Sequence, residues 1–190
     1  ASLFLSEADG LAVDTVAVDV AELKADGSTT LVSDAAQSDL NVGGTLVLRT
    51  VAGSLMLNDG ADADGVAVSA AGGVLLQAGG RGSDLLVNAG VRSTGGEVTL
   101  KAAQGIALAA GLDVDTSATV LLDAQAGALT MAGTAAVNGS SVRLHAATDV
   151  VLGQVSGAGV SVVAGGDVLS ATGSTVNVSG GSLRLQAAGG

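Results

Sequence analysis

Glu97-Val-Thr-Leu-Lys-Ala102, Thr119-Val-Leu-Leu-Asp-Ala124 and Ser141-Val-Arg-Leu-His-Ala146 decide how this chain folds. Each segment leads in with a small or polar residue, alternates apolar–x–apolar–x, and closes on Ala. The same pattern reads Gly44-Thr-Leu-Val-Leu-Arg-Thr50, Gly73-Val-Leu-Leu-Gln-Ala78, Gly159-Val-Ser-Val-Val-Ala164 and Ser182-Leu-Arg-Leu-Gln-Ala187, with a weaker copy at Ala17-Val-Asp-Val-Ala21. The first apolar position falls at 18, 46, 74, 98, 120, 142, 160 and 183, a mean step of about 24 residues. The step is loose, as expected for strands of fixed length joined by turns of variable length.

An apolar spacing of two is the strand period, and it places one set of side chains inward and the other outward. The inward set is Leu46/Leu48, Val74/Leu76, Val98/Leu100, Val120/Leu122, Val142/Leu144, Val160/Val162 and Leu183/Leu185. The outward set mixes Arg49, Lys101, Arg143, Arg184, Asp123 and His145 with smaller residues. A second short strand follows each copy, as at Leu55-Met-Leu57, Leu85-Leu-Val87, Ile106-Ala-Leu108, Leu129-Thr-Met131 and Val150-Val-Leu152. A third lies at Leu40-Asn-Val42, Val66-Ala-Val68, Leu112-Asp-Val114 and Val176-Asn-Val178, and shrinks elsewhere to Val91, Val137 or Val155.

Three short strands per repeat predict a triangular rung. One rung cannot bury its inner face, whereas stacked rungs share a continuous apolar column. The expected fold is all-β: a right-handed three-faced parallel β-helix, or β-solenoid, of about 7–8 rungs of roughly 24 residues and about 35 Å long. Residues 43–190 form the regular repeats, and residues 1–42 are expected to be irregular, acidic first rungs of the same domain.

Composition agrees with that architecture. The 190 residues include 30 Gly and one Phe (Phe4), with no Pro, Trp, Tyr or Cys, yet 48% are hydrophobic and the mean hydropathy is +0.59. A narrow interior takes Ala, Val and Leu in place of aromatic rings. Proline would remove a ladder donor from a central strand. Such apolarity excludes a disordered chain, and the lack of cysteine excludes a disulfide framework. The net charge of −11 argues against nucleic acid. Acidity is uneven: residues 1–64 hold 11 acids and two bases, Lys24 and Arg49. Uncharged stretches such as Ala124–Val142 are interrupted by Gly, Ser, Thr and Asn, and one Phe cannot build the aromatic girdles of a membrane barrel, so no membrane insertion is expected. No signal peptide is visible, and the start at Ala1 and stop at Gly190 inside an ongoing pattern read as a piece of a longer protein or a mature fragment.

The copies resemble the repeats of the filamentous haemagglutinin family, secreted by Gram-negative bacteria through two-partner secretion. Ala147-Thr-Asp-Val-Val-Leu152 and Gly165-Gly-Asp-Val-Leu-Ser170 are similar to its repeats, as they are to those of large adhesins and autotransporter passengers. The resemblance covers residues 43–190 well and 1–42 poorly. It implies a β-helix in a large extracellular or outer-membrane surface protein, acting as an adhesin shaft, stalk or filament building block. It supplies no catalytic residue and no cofactor.

Chemistry-bearing residues are few. His145 is the only histidine; with Arg143 and Thr148 as near neighbours and an outward position, it reads as a surface residue. The densest acidic run is Asn58-Asp59-Gly-Ala-Asp62-Ala-Asp64-Gly65. Oxygen-rich loops with Gly can hold Ca²⁺, but Asp59, Asp62 and Asp64 fit neither the EF-hand nor the Gly-Gly-x-Gly-x-Asp spacing, so a solvated turn is expected. Gly157-Ala-Gly159 and Gly165-Gly166 lack the Lys and helix of a phosphate loop. Polysaccharide-cleaving β-helices need paired carboxylates; Asp113, Asp115 and Asp123 have no matching acid column. The expectation is therefore no enzyme and no catalytic, cofactor or metal residues. Expected partners are neighbouring repeats or copies stacked end to end. An alternative is a host or bacterial surface glycan or protein held by outward loops such as 58–65 or 77–84.

Overall fold

The computed structural model describes residues 1–189, and every element in it is a β-strand. All the strands except the two of one antiparallel hairpin fall into three parallel ladders. The first contains β1 (Leu3–Glu7), β6 (Leu46–Thr50), β9 (Val74–Ala78), β12 (Val98–Ala102), β15 (Thr119–Ala124) and β18 (Ser141–Ala146), then the second halves of β20 (Gln154–Ala164) and β22 (Val178–Ala187). The second contains β2 (Leu11–Val13), β7 (Leu55–Leu57), β10 (Leu85–Val87), β13 (Ile106–Leu108), β16 (Leu129–Met131), β19 (Val150–Leu152) and β21 (Val168–Ser170). The third contains β5 (Leu40–Val42), β8 (Val66–Ala70), β11 (Gly90–Ser93), β14 (Asp113–Thr116) and β17 (Ala136–Asn138), then the first halves of β20 and β22. Because β20 runs through a corner without a break, the first and third ladders form one continuous 13-stranded sheet. The chain is thus all-β, with mostly parallel strands in stacked sheets, as in a β-solenoid.

Register follows the apolar columns. Leu46, Val74, Val98, Val120, Val142, Val160 and Leu183 pair in succession. The inward side chains from Leu46 to Val162 are 0–3% exposed, and they join Leu55, Leu85, Ile106, Leu129 and Met131 of the second ladder in one core. Leu183 and Leu185 are instead 54% and 55% exposed, because β22 pairs with β20 along one edge only among the described residues.

The first-strand copy expected at Val18 is corrected. Leu3 pairs with Leu46, so β1 holds that place in the ladder. Val18, 46% exposed, lies at the root of an antiparallel hairpin made by β3 (Asp19–Leu23) and β4 (Thr29–Ser33). Alternation at 16–20 is genuine but local: it forms a strand whose partner is the next strand in sequence. Within residues 1–42, β1, β2 and β5 enter the ladders and the hairpin leaves them between β2 and β5.

The corners are closed by small residues and hydroxyls. Gly111 has φ +77°, a left-handed backbone that suits Gly. Gly96 is needed for a different reason: a Cβ there would meet the backbone of Gly72 and Gly73. Its N–H is accepted by buried Ser93 Oγ at 2.9 Å, and its C=O accepts from buried Thr116 Oγ1 at 2.6 Å. Ser93 Oγ also donates to Gly72 O at 2.8 Å, so one hydroxyl ties two layers together. These buried hydroxyls satisfy corner backbone groups that the ladders leave unpaired.

Candidate functional site: an acidic corner beside the hairpin

Polar groups concentrate where the hairpin leaves the stack and where loop 58–65 passes beside it. Thr15 and Ser38, on the two legs of the hairpin, share a hydrogen bond of 2.9 Å, and Thr15 Oγ1 accepts from Ala61 N at 2.6 Å. The loop is thereby drawn onto the hairpin root. Its backbone bends sharply, with φ +72° at Gly60 and φ +53° at Ala63. Asp59 Oδ1 accepts from Gly65 N at 2.6 Å and Asp64 Oδ1 from Val66 N at 2.8 Å, which closes the loop before β8. An amide ladder runs alongside: Asn88 Nδ2 donates to Asn58 Oδ1 at 2.9 Å, and Asn58 Nδ2 donates to Asp14 Oδ2 at 2.8 Å. That bond, with one from Thr15 N, holds the Asp14 carboxyl below its ordinary pKa.

The folding brings together Asp39, Asp62 and Asp64, with one carboxylate oxygen of each within 4.8 Å of the others. Asp59, grouped with Asp62 and Asp64 in the sequence reading, is not one of the three. Asp39, which immediately precedes β5, takes its place. Asp39 Oδ1 is buried and has no hydrogen-bond partner. Burial raises the Asp39 pKa, and the charges of Asp62, Asp64 and Asp59 push it further in the same direction. These three carboxylates are the one group among the described residues with the spacing to hold a cation. Beside them opens a cavity of about 620 Å³, lined by Leu5, Leu11, Val13, Leu40 and Leu48 of the ladders and by Val16, Val18 and Asp34 at the hairpin root.

A measurable consequence follows for stability. The folded chain holds the Asp39 proton more tightly than the unfolded chain does. Stability therefore falls as pH rises through the ordinary carboxylate pKa, and the deficit persists above the raised one. Asp39→Asn is expected to raise the melting temperature by about 2 °C at neutral pH, and to make no difference near about pH 3. Calorimetry of both proteins across pH reads this directly. Added Ca²⁺ separates occupancy from screening: a bound ion lifts the parent and spares the variant, whereas screening shifts both alike.

His145 stands elsewhere, on the outer side of the first ladder, and it has a partner. Its Nδ1 lies 2.7 Å from Asp123 Oδ1, and Lys101 Nζ is 3.6 Å from Asp123 Oδ2. The three residues are in register on β12, β15 and β18. The 22-residue offset between Asp123 and His145 equals the local repeat and is the signal that would have found this pair. Asp113 and Asp115 are exposed on β14, beside Ala136 and Asn138 of β17. Gly157-Ala-Gly159 lies within β20, where its backbone pairs with the neighbouring strands. No family model, no curated protein and no solved structure matches this chain.

Proposed function

We propose that this chain is a structural segment: a right-handed, three-faced β-helix of seven rungs plus one strand that serves as a shaft or filament building block. The observation that carries this reading is the unbroken register from Leu46 to Leu183, with a buried Val or Leu at each inward position short of the last strand. Right-handedness rests on the strong preference of parallel crossovers. The work of such a segment is mechanical, because each strand is held by its neighbours above and below. The resemblance of its repeats to filamentous haemagglutinin supports placement in an extracellular or outer-membrane surface protein of a Gram-negative bacterium, with no enzymatic role.

The rival reading is an adhesive module that holds a glycan or protein through outward loops. The acidic corner formed by Asp39 and loop 58–65 is the observation in its favour, since bent backbone of the loop and the unpartnered Asp39 Oδ1 meet there. Glycan arrays and pull-downs from surface extracts discriminate the two. No saturable ligand is expected, and a saturable one lost on replacing loop 58–65 would overturn the shaft reading. Native-state hydrogen exchange tests the solenoid itself: protection should peak in β12 and β15 and decline toward both ends.

A further inference from the structure

Two features of this chain lack a partner among the described residues, and they complement each other. The first is the β3–β4 hairpin. All five residues of β3 are exposed. Leu23 is 73% and Leu31 66% exposed, and Val20 and Val32 are also at the surface. Paired residues across the hairpin place these side chains on both faces: Val20 opposite Val32 on one, Ala21 opposite Leu31 on the other. A lone two-stranded hairpin is marginal in water, so apolar cover would stabilise it. It is also acidic, with Asp19, Glu22 and Asp26 against Lys24. Hydrogen bonds from Ser28 hold Asp26 below its ordinary pKa.

The second feature is a shallow groove of about 560 Å³ on the outer side of the first ladder. Leu121, Arg143, Ser161 and Arg184 stand in register across β15, β18, β20 and β22. Gly159, without a side chain, deepens the opposite wall. No acid lines the groove. Among the described residues Arg143 has no hydrogen-bond or ion-pair partner, and Arg184 reaches only uncharged Ser161 Oγ at 3.4 Å and Gln186 Oε1 at 2.5 Å. In a chain of net charge −11 this is a local positive patch. The dimensions agree: four strands span three spacings, about 14 Å, and a five-residue strand is about 16 Å long.

We propose that the hairpin of one copy docks by its leucine face in the groove of a second copy, with Asp19, which shares that face, against Arg143 and Arg184, and with Leu23 and Leu31 over Leu121. The two surfaces differ, so the contact is heterologous and joins copies side by side, into a ring where the rotation closes and an open series where it does not. This goes beyond the shaft reading: it needs the stacked strands as a platform and no particular role for the parent protein. Exposed ion pairs are weak and screened by salt, so the association belongs to high protein concentration and low ionic strength.

Sedimentation velocity of the full chain is the test. Concentration-dependent association is expected at low salt and should vanish at high salt. Arg143→Glu with Arg184→Glu reverses the groove; Asp19→Lys reverses the docking face of the arm. Each variant alone should associate at least tenfold more weakly, and an equimolar mixture of the two should recover association. Circular dichroism checks that both keep the parent's strand signature; Arg143→Ser with Arg184→Ser stands in if charge reversal unfolds the groove. A monomer at every concentration would overturn the proposal. So would association that survives both variants, or a mixture that stays monomeric. A parent chain without strand structure would instead sink the solenoid reading itself.

Discussion

Leu122→Asp is expected to abolish cooperative folding of the central stack at room temperature, not merely to lower its melting point. Leu122 is fully buried on β15, between Leu100 of β12 and Leu144 of β18 in strict register. Removing the side chain forfeits about 2 kcal/mol of burial. An aspartate there meets only aliphatic neighbours, so the larger cost is several kcal/mol for an unpaired polar group or charge. Together these approach the whole stability of an ordinary domain, about 5–15 kcal/mol. Leu121→Asp is the control, since residue 121 faces outward and partly exposed, and its effect should stay within about 0.5 kcal/mol. Thermal unfolding by circular dichroism reads both. Equal melting curves for the two variants would refute the inward assignment of Leu122.

Gly96→Ala is the second large effect, expected to cost about 1–3 kcal/mol by overpacking. The added methyl would sit 2.6 Å from Gly72 C and Gly73 Cα, and closer still to Gly73 N. All three are backbone atoms of the preceding corner, so no flexible side chain can yield. Any shift also strains the bonds that Ser93 and Thr116 make to Gly96. Its neighbour Gly95 is exposed and would place its methyl 3.2 Å from one oxygen, Ala71 O, so Gly95→Ala should be much milder. Denaturant midpoints for the pair decide the matter. A Gly96→Ala midpoint equal to that of Gly95→Ala would mean the corners are looser than their geometry indicates.

Alternation made the ladders legible, because the strand period and the burial of Val and Leu at inward positions are the same physical fact read twice. It could not say which strand is neighbour to which. Ala17-Val-Asp-Val-Ala21 alternates as well as the true copies, yet β3 finds β4 while Leu3-Phe-Leu-Ser-Glu7 joins the stack without the closing Ala. Glycine was legible as corner punctuation, but its two uses were not separable: Gly111 supplies a positive φ, Gly96 a close approach between layers. The acidic corner was half legible. Asp62 and Asp64 stand out as a run, whereas Asp39 joins them only because Thr15 and Ser38 draw the loop onto the hairpin root. The Asp123–His145 pair was present in the outward columns and needed only their comparison one repeat apart.

The hairpin has one more consequence, for how this architecture can grow and be rebuilt. From Leu3 to Leu46 the chain uses 43 residues to reach the adjacent strand, and from Val142 to Val160 it uses 18. Both intervals advance the first ladder by the same single strand spacing. Contour length and axial length are therefore uncoupled, and sequence added at a corner decorates the rod without stretching it. The Val13–Leu40 corner already tolerates such an insertion, with β2 and β5 still in register beside β7 and β8. It is a natural grafting point, where foreign epitopes or domains could be displayed at a fixed height along the axis.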